Sequence, residues 1–173
     1  MNKPLRILSI NPGSRYLGIA VFLGTELRDW AIRIVNGKDV RQKTSAVREF
    51  VLGYVDRYEI NVVALKQPHP SRSSQAVRKV ILEIRRTASK HKLALCELSI
   101  DEVKTGLLSQ RRGNKRLLME EVTIRYPFLF PKMEREQKNK NPYLIRMFEA
   151  VALGTVCFNQ FDTGRQKVGM NIK

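Results

Sequence analysis

Three short apolar runs near the amino terminus constrain the fold of this chain more than any other feature. Residues 5–10, 17–22 and 30–35 are rich in Ile, Leu, Val and Phe, and glycine or polar residues separate them. Runs of this length with turn residues between them are typical of strands joined by hairpins. The amino-terminal part is therefore predicted to form a three-stranded antiparallel meander.

The next part of the chain alternates helical and strand-like patterns. Residues 40–58 carry apolar side chains at helical spacing, and residues 61–66 follow with a continuous apolar run. A basic amphipathic helix is predicted at residues 71–91 and another strand at residues 93–98. A helix between two strands implies a parallel crossover connection, so an α/β fold with a mixed sheet is expected.

The carboxyl-terminal half is predicted to be helical. Helices are expected at residues 100–108, 115–126 and 143–158. Residues 131–142 are dense in Lys, Glu, Gln and Asn, which predicts a mobile surface loop.

One domain is the expected organisation of the 173 residues, because no Pro-, Gly- or Ser-rich stretch divides them. It is predicted over residues 1–160, with a basic tail over residues 161–173. The chain leads into its first strand without a signal-peptide pattern. Cys96 and Cys157 lack metal-ligand spacing, so both are interpreted as reduced core thiols. Together these features predict a cytoplasmic protein.

The charge balance favours a polyanionic partner. Lys and Arg number 32 against 16 Asp and Glu, which gives a formal net charge of +16. Such an excess is typical of nucleic-acid-binding proteins. No long apolar run and no amphipathic amino-terminal segment suggests a membrane partner. Nucleic acid is therefore the first candidate partner.

The first hairpin carries the most specific motif. Residues 7–21 read ILSINPGSRYLGIAV. This resembles the opening of the RuvC-type Holliday junction resolvases of the RNase H-like superfamily, whose pattern is I-D-P-G-S-x-x-x-G-x-x-V. The resemblance continues in the same order of elements from about residue 5 to residue 158. It implies an RNase H-like fold with a five-stranded mixed sheet in the order 3-2-1-4-5 and helices on both faces.

The family's nuclease centre needs four carboxylates to hold two Mg²⁺ ions. Asn11 stands where the family has the first Asp, and Lys66 stands at the end of the strand predicted at residues 61–66, where the family strand ends in I-E-Q. The last helix has Arg146 and Glu149 where the family carries D-x-x-D. Three of the four expected carboxylates are thus absent, so catalytic residues and bound Mg²⁺ are not expected.

The reversed charges suggest a specific hypothesis for these four vestigial positions. The ammonium group of Lys66 would occupy the space of the missing metal and pair with Glu149, while Arg146 would face a phosphate. The alternative is that the site has simply drifted in sequence.

Further candidates for nucleic-acid binding follow from the resemblance and from local charge. Lys104 and Lys115 match in spacing two family lysines that lie beside the scissile phosphates, although ordinary solvated lysines are the alternative. Tyr16, next to Arg15, is placed to stack on an unpaired base. The remaining candidates are basic residues of the loop before residue 115 and of the basic helix: Arg111, Arg112, Arg72, Arg78 and Lys79. In resolvases the equivalent helix contributes to a dimer, so a second copy is an alternative partner for that helix.

The favoured interpretation is a catalytically inactive RuvC-like protein that binds structured nucleic acid, most specifically branched DNA of the kind formed in recombination. One alternative is a structural RNA-binding component of a ribonucleoprotein. Another is a divergent metal-dependent junction endonuclease. A homodimer and a heteromeric protein partner both stay open.

Overall fold

A computed structural model describes residues 3–109 and 113–164 of the chain. The elements follow in the order β1 (Arg6–Pro12), β2 (Tyr16–Leu23), β3 (Glu26–Ile34), α1 (Val40–Tyr58), β4 (Val62–Lys66), α2 (Gln75–Lys90), β5 (Ala94–Leu98), α3 (Ile100–Leu108), α4 (Lys115–Arg125), α5 (Phe130–Lys138) and α6 (Ile145–Asp162). A short 3₁₀ turn at Pro127–Leu129 connects α4 to α5.

The five strands form one mixed sheet in the order β3-β2-β1-β4-β5. The first three strands pair antiparallel as a meander, as predicted, and β4 and β5 add to β1 in parallel. Helix α1 provides the crossover from β3 to β4, and α2 provides the crossover from β4 to β5. The α/β fold class and the strand order expected from the sequence are confirmed.

Alternation along the central strands divides the core into two layers. Ile7 of β1 packs in the layer that contains α3, α4 and α6, whereas Leu8 packs against α1 and α2. Neighbouring residues of a strand point to opposite faces of the sheet, so one strand serves both layers. The central strands are buried on both sides, which explains why they read as continuous apolar runs.

Two glycines allow α6 to lie directly on the sheet. A Cβ atom at Gly18 of β2 would overlap the backbone carbonyl of Arg146, and one at Gly154 would overlap the ring of Phe22. Gly18 belongs to the hairpin motif, so its role here is close backbone approach. The first turn of α6 is thereby held against the carboxyl end of β1.

The prediction of a mobile loop at residues 131–142 is wrong over most of that segment. Residues Phe130–Lys138 form α5, with Met133 and Glu136 buried. The Glu136 carboxylate accepts hydrogen bonds from the backbone N–H groups of Tyr143 and Ile145. The buried carboxylate of α5 thus satisfies backbone N–H groups at the amino-terminal end of α6. This contact orders a segment that has little apolar content.

Some element boundaries also differ from prediction. Strand β3 begins at Glu26 instead of residue 30, because Gly24 adopts a positive φ of 61° and lets Leu23 pair directly with Glu26. Helix α6 extends to Asp162, so residues 161 and 162 of the predicted tail are helical. Most of the predicted tail, residues 165–173, lies outside the described residues.

The two cysteines, far apart in sequence, belong to one core cluster. Cys157 is fully buried on α6, and the half-buried Cys96 of β5 packs against the same cluster; both are free thiols. Within the described ranges, no helix is both long enough and apolar enough to cross a membrane.

Candidate nucleic-acid interface

The carboxyl ends of β1 and β4 meet at one edge of the sheet. Ile10 of β1 pairs in parallel with Leu65 of β4, so Asn11 and Lys66 follow side by side. Ile10 and Leu65 face α1 and α2, and the alternation along the strands turns the next residues toward α6. Asn11 and Lys66 therefore point to the helix that carries Glu149.

The three side chains form a connected cluster. Glu149 Oε2 accepts a hydrogen bond from Asn11 Nδ2 at 2.6 Å and an ion-paired hydrogen bond from Lys66 Nζ at 2.7 Å. Asn11 Nδ2 also lies 3.3 Å from the backbone carbonyl oxygen of Arg146. The side chains of Glu149 and Lys66 are 10% and 24% exposed, so the pair is largely shielded from water. The ion pair predicted from the sequence is present.

This cluster does not fit a divalent-metal centre of the two-ion type. Its single carboxylate already accepts two donors at one oxygen, and an ammonium group lies within hydrogen-bond distance of that oxygen. Among the described residues, no group of three or more His, Cys, Asp or Glu side chains is placed to hold a metal ion. Mg²⁺ prefers several oxygen ligands without an adjacent cation.

Arg146 of α6 lies beside the cluster and packs against the turn of the first hairpin. Its guanidinium packs so closely on Gly13 that a Cβ there would lie 2.5 Å from Nη1. The side chain is half-buried and lines the same cleft as Asn11 and Glu149. A bulkier residue at position 13 would displace the guanidinium, so Gly13 of the motif has a packing role, as Gly18 does.

An open cleft of about 950 Å³ lies over this edge of the sheet. Its lining includes five basic side chains, Lys66, Arg72, Lys104, Lys115 and Arg146. Among the described residues of its lining, Asp101 and Glu149 are the acidic side chains, which leaves these residues a formal charge of three positive. The structure thus brings three of the predicted binding residues, Arg72, Lys104 and Lys115, into one cleft with the vestigial site positions.

Several helices begin at this cleft. The N-caps Ser74 of α2 and Ser99 of α3 line it, as do the first residue of α4, Lys115, and the first residue of α6, Ile145. Helix amino-terminal ends carry partial positive charge from their unpaired N–H groups. The Glu136 carboxylate offsets this charge at the start of α6, whereas the starts of α2, α3 and α4 add to the five basic side chains and favour anions such as phosphate.

Four of the predicted binding residues lie outside the lining of the cleft. Arg15 is exposed and stacks over the ring of Tyr16 at 5.4 Å. Tyr16 is half-buried, with its ring 6.1 Å from that of Tyr143. Arg78 and Lys79 are exposed on α2, where Arg78 Nε donates to the Ser73 hydroxyl. Arg111 and Arg112 lie outside the described residues.

Sequence reasoning missed other polar residues of the cleft. Gln67, Ser73, Ser74 and Ser99 all line it. Ser99 begins a capping box with Glu102, and that pattern is visible in the sequence as Ser-x-x-Glu before an apolar run. The capping box therefore marks the start of α3 in the sequence, whereas the position of that start at the cleft depends on the fold.

No family model and no curated protein sequence matches this chain. Solved structures do match: Thermus thermophilus RuvC has a TM-score of 0.70 at 15% identity, covering 92% of this chain and 97% of that one. The fold is the RuvC-type RNase H-like fold. T. thermophilus RuvC in complex with Holliday junction substrate matches with a TM-score of 0.69 at 15% identity, and the match covers 92% of this chain and 96% of that one. The yeast mitochondrial Holliday junction resolvase Ydc2 matches at 0.59 and 10% identity, covering 95% and 83%.

The RuvC-type likeness spans nearly the whole of both chains in the first two comparisons. It agrees with the resemblance seen in the hairpin motif and in the order of the elements. At identities of 10–15%, it establishes the fold and leaves the chemistry of the site to the residues themselves.

Proposed function

We propose that this protein binds branched DNA of the Holliday-junction type in the basic cleft and does not cleave it. The observation that carries the proposal is the position of the cleft. It lies at the carboxyl edge of a RuvC-type sheet and contains five basic side chains, and its one central carboxylate is paired with Lys66.

The charge of the cleft supports a phosphate backbone as ligand. Lys104 lies on α3 and Lys115 begins α4, on either side of the loop that connects these helices. Arg72 enters from the segment before α2. Cations from separate elements that face one open cleft suit a charged strand lying across them, since phosphate contacts position nucleic acid without reading its bases.

The surface beyond the cleft supports an extended ligand. Exposed Arg78 and Lys79 continue the positive charge along α2 from Arg72, and exposed Arg15 lies at the first hairpin turn. A Holliday junction presents several backbones to one protein surface. The fold adds to this, because T. thermophilus RuvC has been solved in complex with Holliday junction substrate.

The central cluster supports binding without cleavage. Two-metal hydrolysis requires carboxylates that bridge the ions. Glu149 is the one carboxylate among the four vestigial positions, and its Oε2 is occupied by Lys66 and Asn11. A cation at the centre suits retention of a phosphate better than activation of water.

The proposal is tested by competition binding at physiological salt. A labelled four-way DNA junction is bound by the purified protein, and unlabelled junction, matched duplex or folded RNA is added as competitor. We expect the junction to compete at least about tenfold better than duplex or RNA. Equal or better competition by RNA would overturn the DNA assignment and favour a ribonucleoprotein role.

A further inference from the structure

The Lys66–Glu149 pair has a position that differs in kind from the surface ion pairs. It joins the end of β4 to α6 across a separation of 83 residues, and both of its side chains line the cleft. Asn11, only 2% exposed, donates to the same carboxylate oxygen. All three side chains are therefore held in one arrangement by the sheet edge and by the helix.

The cationic groups of this centre keep donors for a ligand. Within the described residues, Lys66 has Glu149 as its ion-pair partner, which uses one of the three N–H groups of the ammonium. No described carboxylate pairs with Arg146, whose guanidinium lines the same cleft. Lys66 is 24% exposed, so its remaining N–H groups are reachable from the cleft.

We propose that Lys66 is the resident cation of this centre: with Arg146 it binds a backbone phosphate without any divalent metal ion, and it keeps such ions out. The part that concerns phosphate rests on the proposed function. The part that concerns metal exclusion stands on the cluster alone, because a fixed ammonium beside the single carboxylate repels a second cation.

Metal exclusion is tested on the free protein with Mn²⁺, followed by electron paramagnetic resonance. The wild type is expected to leave the Mn²⁺ signal unchanged at millimolar concentration. The double variant Asn11→Asp/Lys66→Glu places three carboxylates at the centre and is expected to bind about one Mn²⁺ per chain. Adding Glu149→Gln to it should weaken that binding by about tenfold or more.

A second variant keeps this test informative if the double variant does not fold. Lys66→Met removes the cation without adding charge and is expected to admit weak Mn²⁺ binding. Arg48→Met is the matched control, because Arg48 pairs at 2.6 Å with Glu83, whose side chain is 11% exposed, on another part of the fold. Mn²⁺ binding by the wild type that is lost in Glu149→Gln would overturn the proposal, as would a failure of every Lys66 variant to gain Mn²⁺.

The phosphate part is tested with the DNA junction in EDTA and in Mg²⁺ at equal ionic strength. Wild-type affinity should be the same within about twofold, whereas Lys66→Met should bind about tenfold more weakly in EDTA. Wild-type binding that requires Mg²⁺ would overturn the proposal. A wild type that binds no junction in either buffer would overturn the proposed function, and the Mn²⁺ result would still decide metal exclusion.

Discussion

Lys66 connects two parts of the chain that the sequence separates widely. Its ammonium lies 2.7 Å from Glu149 Oε2, and Asn11 donates to the same oxygen at 2.6 Å. A largely buried carboxylate requires such donors, because burial of an unpaired charge costs several kcal/mol. We therefore expect the three residues to stabilise the fold at the point where the proposed ligand binds.

Lys66→Met is expected to lower the free energy of unfolding by about 1–3 kcal/mol, because Glu149 keeps one donor instead of two. Urea denaturation followed by circular dichroism measures the change. Lys104→Met removes a lysine from the same cleft and should alter stability by about 0.5 kcal/mol or less. Equal stability of Lys66→Met and wild type would show that the pair does not stabilise the fold.

Cys96 and Cys157 belong to one core cluster, and their interaction separates the acidities of the two thiols. The interaction with Cys157 lowers the pKa of Cys96, whereas the same interaction and burial raise the pKa of Cys157 well above its ordinary value. Since the thiolate is the reactive form, Cys96 should be alkylated first, at a rate that rises at lower pH than for Cys157. Mass spectrometry after brief iodoacetamide treatment tests this order. Preferential labelling of Cys157 would contradict it.

At the scale of elements, α5 serves to fix the start of α6. Glu136 is 4% exposed, and its carboxylate accepts from the backbone N–H groups of Tyr143 and Ile145. The N-cap residue of α6, Leu144, makes no side-chain capping bond. The carboxylate from α5 therefore substitutes for a local cap and sets the position of the turn that carries Arg146.

Glu136→Ala is expected to cost about 1–3 kcal/mol of stability, because it leaves two N–H groups at the start of α6 without their acceptor. Glu136→Gln keeps an acceptor oxygen and should lose less. Hydrogen exchange of the Tyr143 and Ile145 amides gives the local measurement, and faster exchange is expected in Glu136→Ala. Unchanged protection of both amides would refute the capping role.

The contrast between α5 and the central cluster shows what sequence reasoning reaches. Apolar periodicity predicts the strands and the long helices. The family resemblance predicts from the sequence alone that Asn11, Lys66 and Glu149 lie at one site. Helix α5 has few apolar residues, and Glu136 acts through a long-range contact with backbone groups, so no periodic signal marks it. The stacking of Tyr16 against Tyr143 and the contact between the two cysteines depend in the same way on tertiary packing.

At the scale of the whole molecule, the meaning of the net charge of +16 depends on where the basic residues lie. Several basic residues balance local acids, as in the pairs Arg6–Glu59 and Arg85–Glu97. Lys104 and Lys115 instead line the cleft, where positive charge exceeds negative. Part of the excess positive charge of the protein is therefore concentrated in the cleft.

Lys104→Ala/Lys115→Ala is expected to weaken junction binding about fivefold or more and to reduce the slope of log affinity against log salt by about one to two. Fluorescence anisotropy over a salt series measures both. Lys3→Ala/Lys90→Ala removes the same charge from the opposite edge of the sheet and should have a smaller effect. Equal effects of the two double variants would show that binding depends on net charge and not on the cleft.

The most direct test of a junction-binding protein without nuclease chemistry is to follow shift and cleavage together. Purified protein is incubated with a labelled four-way DNA junction in Mn²⁺ at physiological salt, and the products are resolved on native and denaturing gels. We expect a junction-selective shift with intact strands. Symmetric nicks that disappear in Glu149→Gln would contradict the account, because they would assign catalysis to the centre that Lys66 occupies.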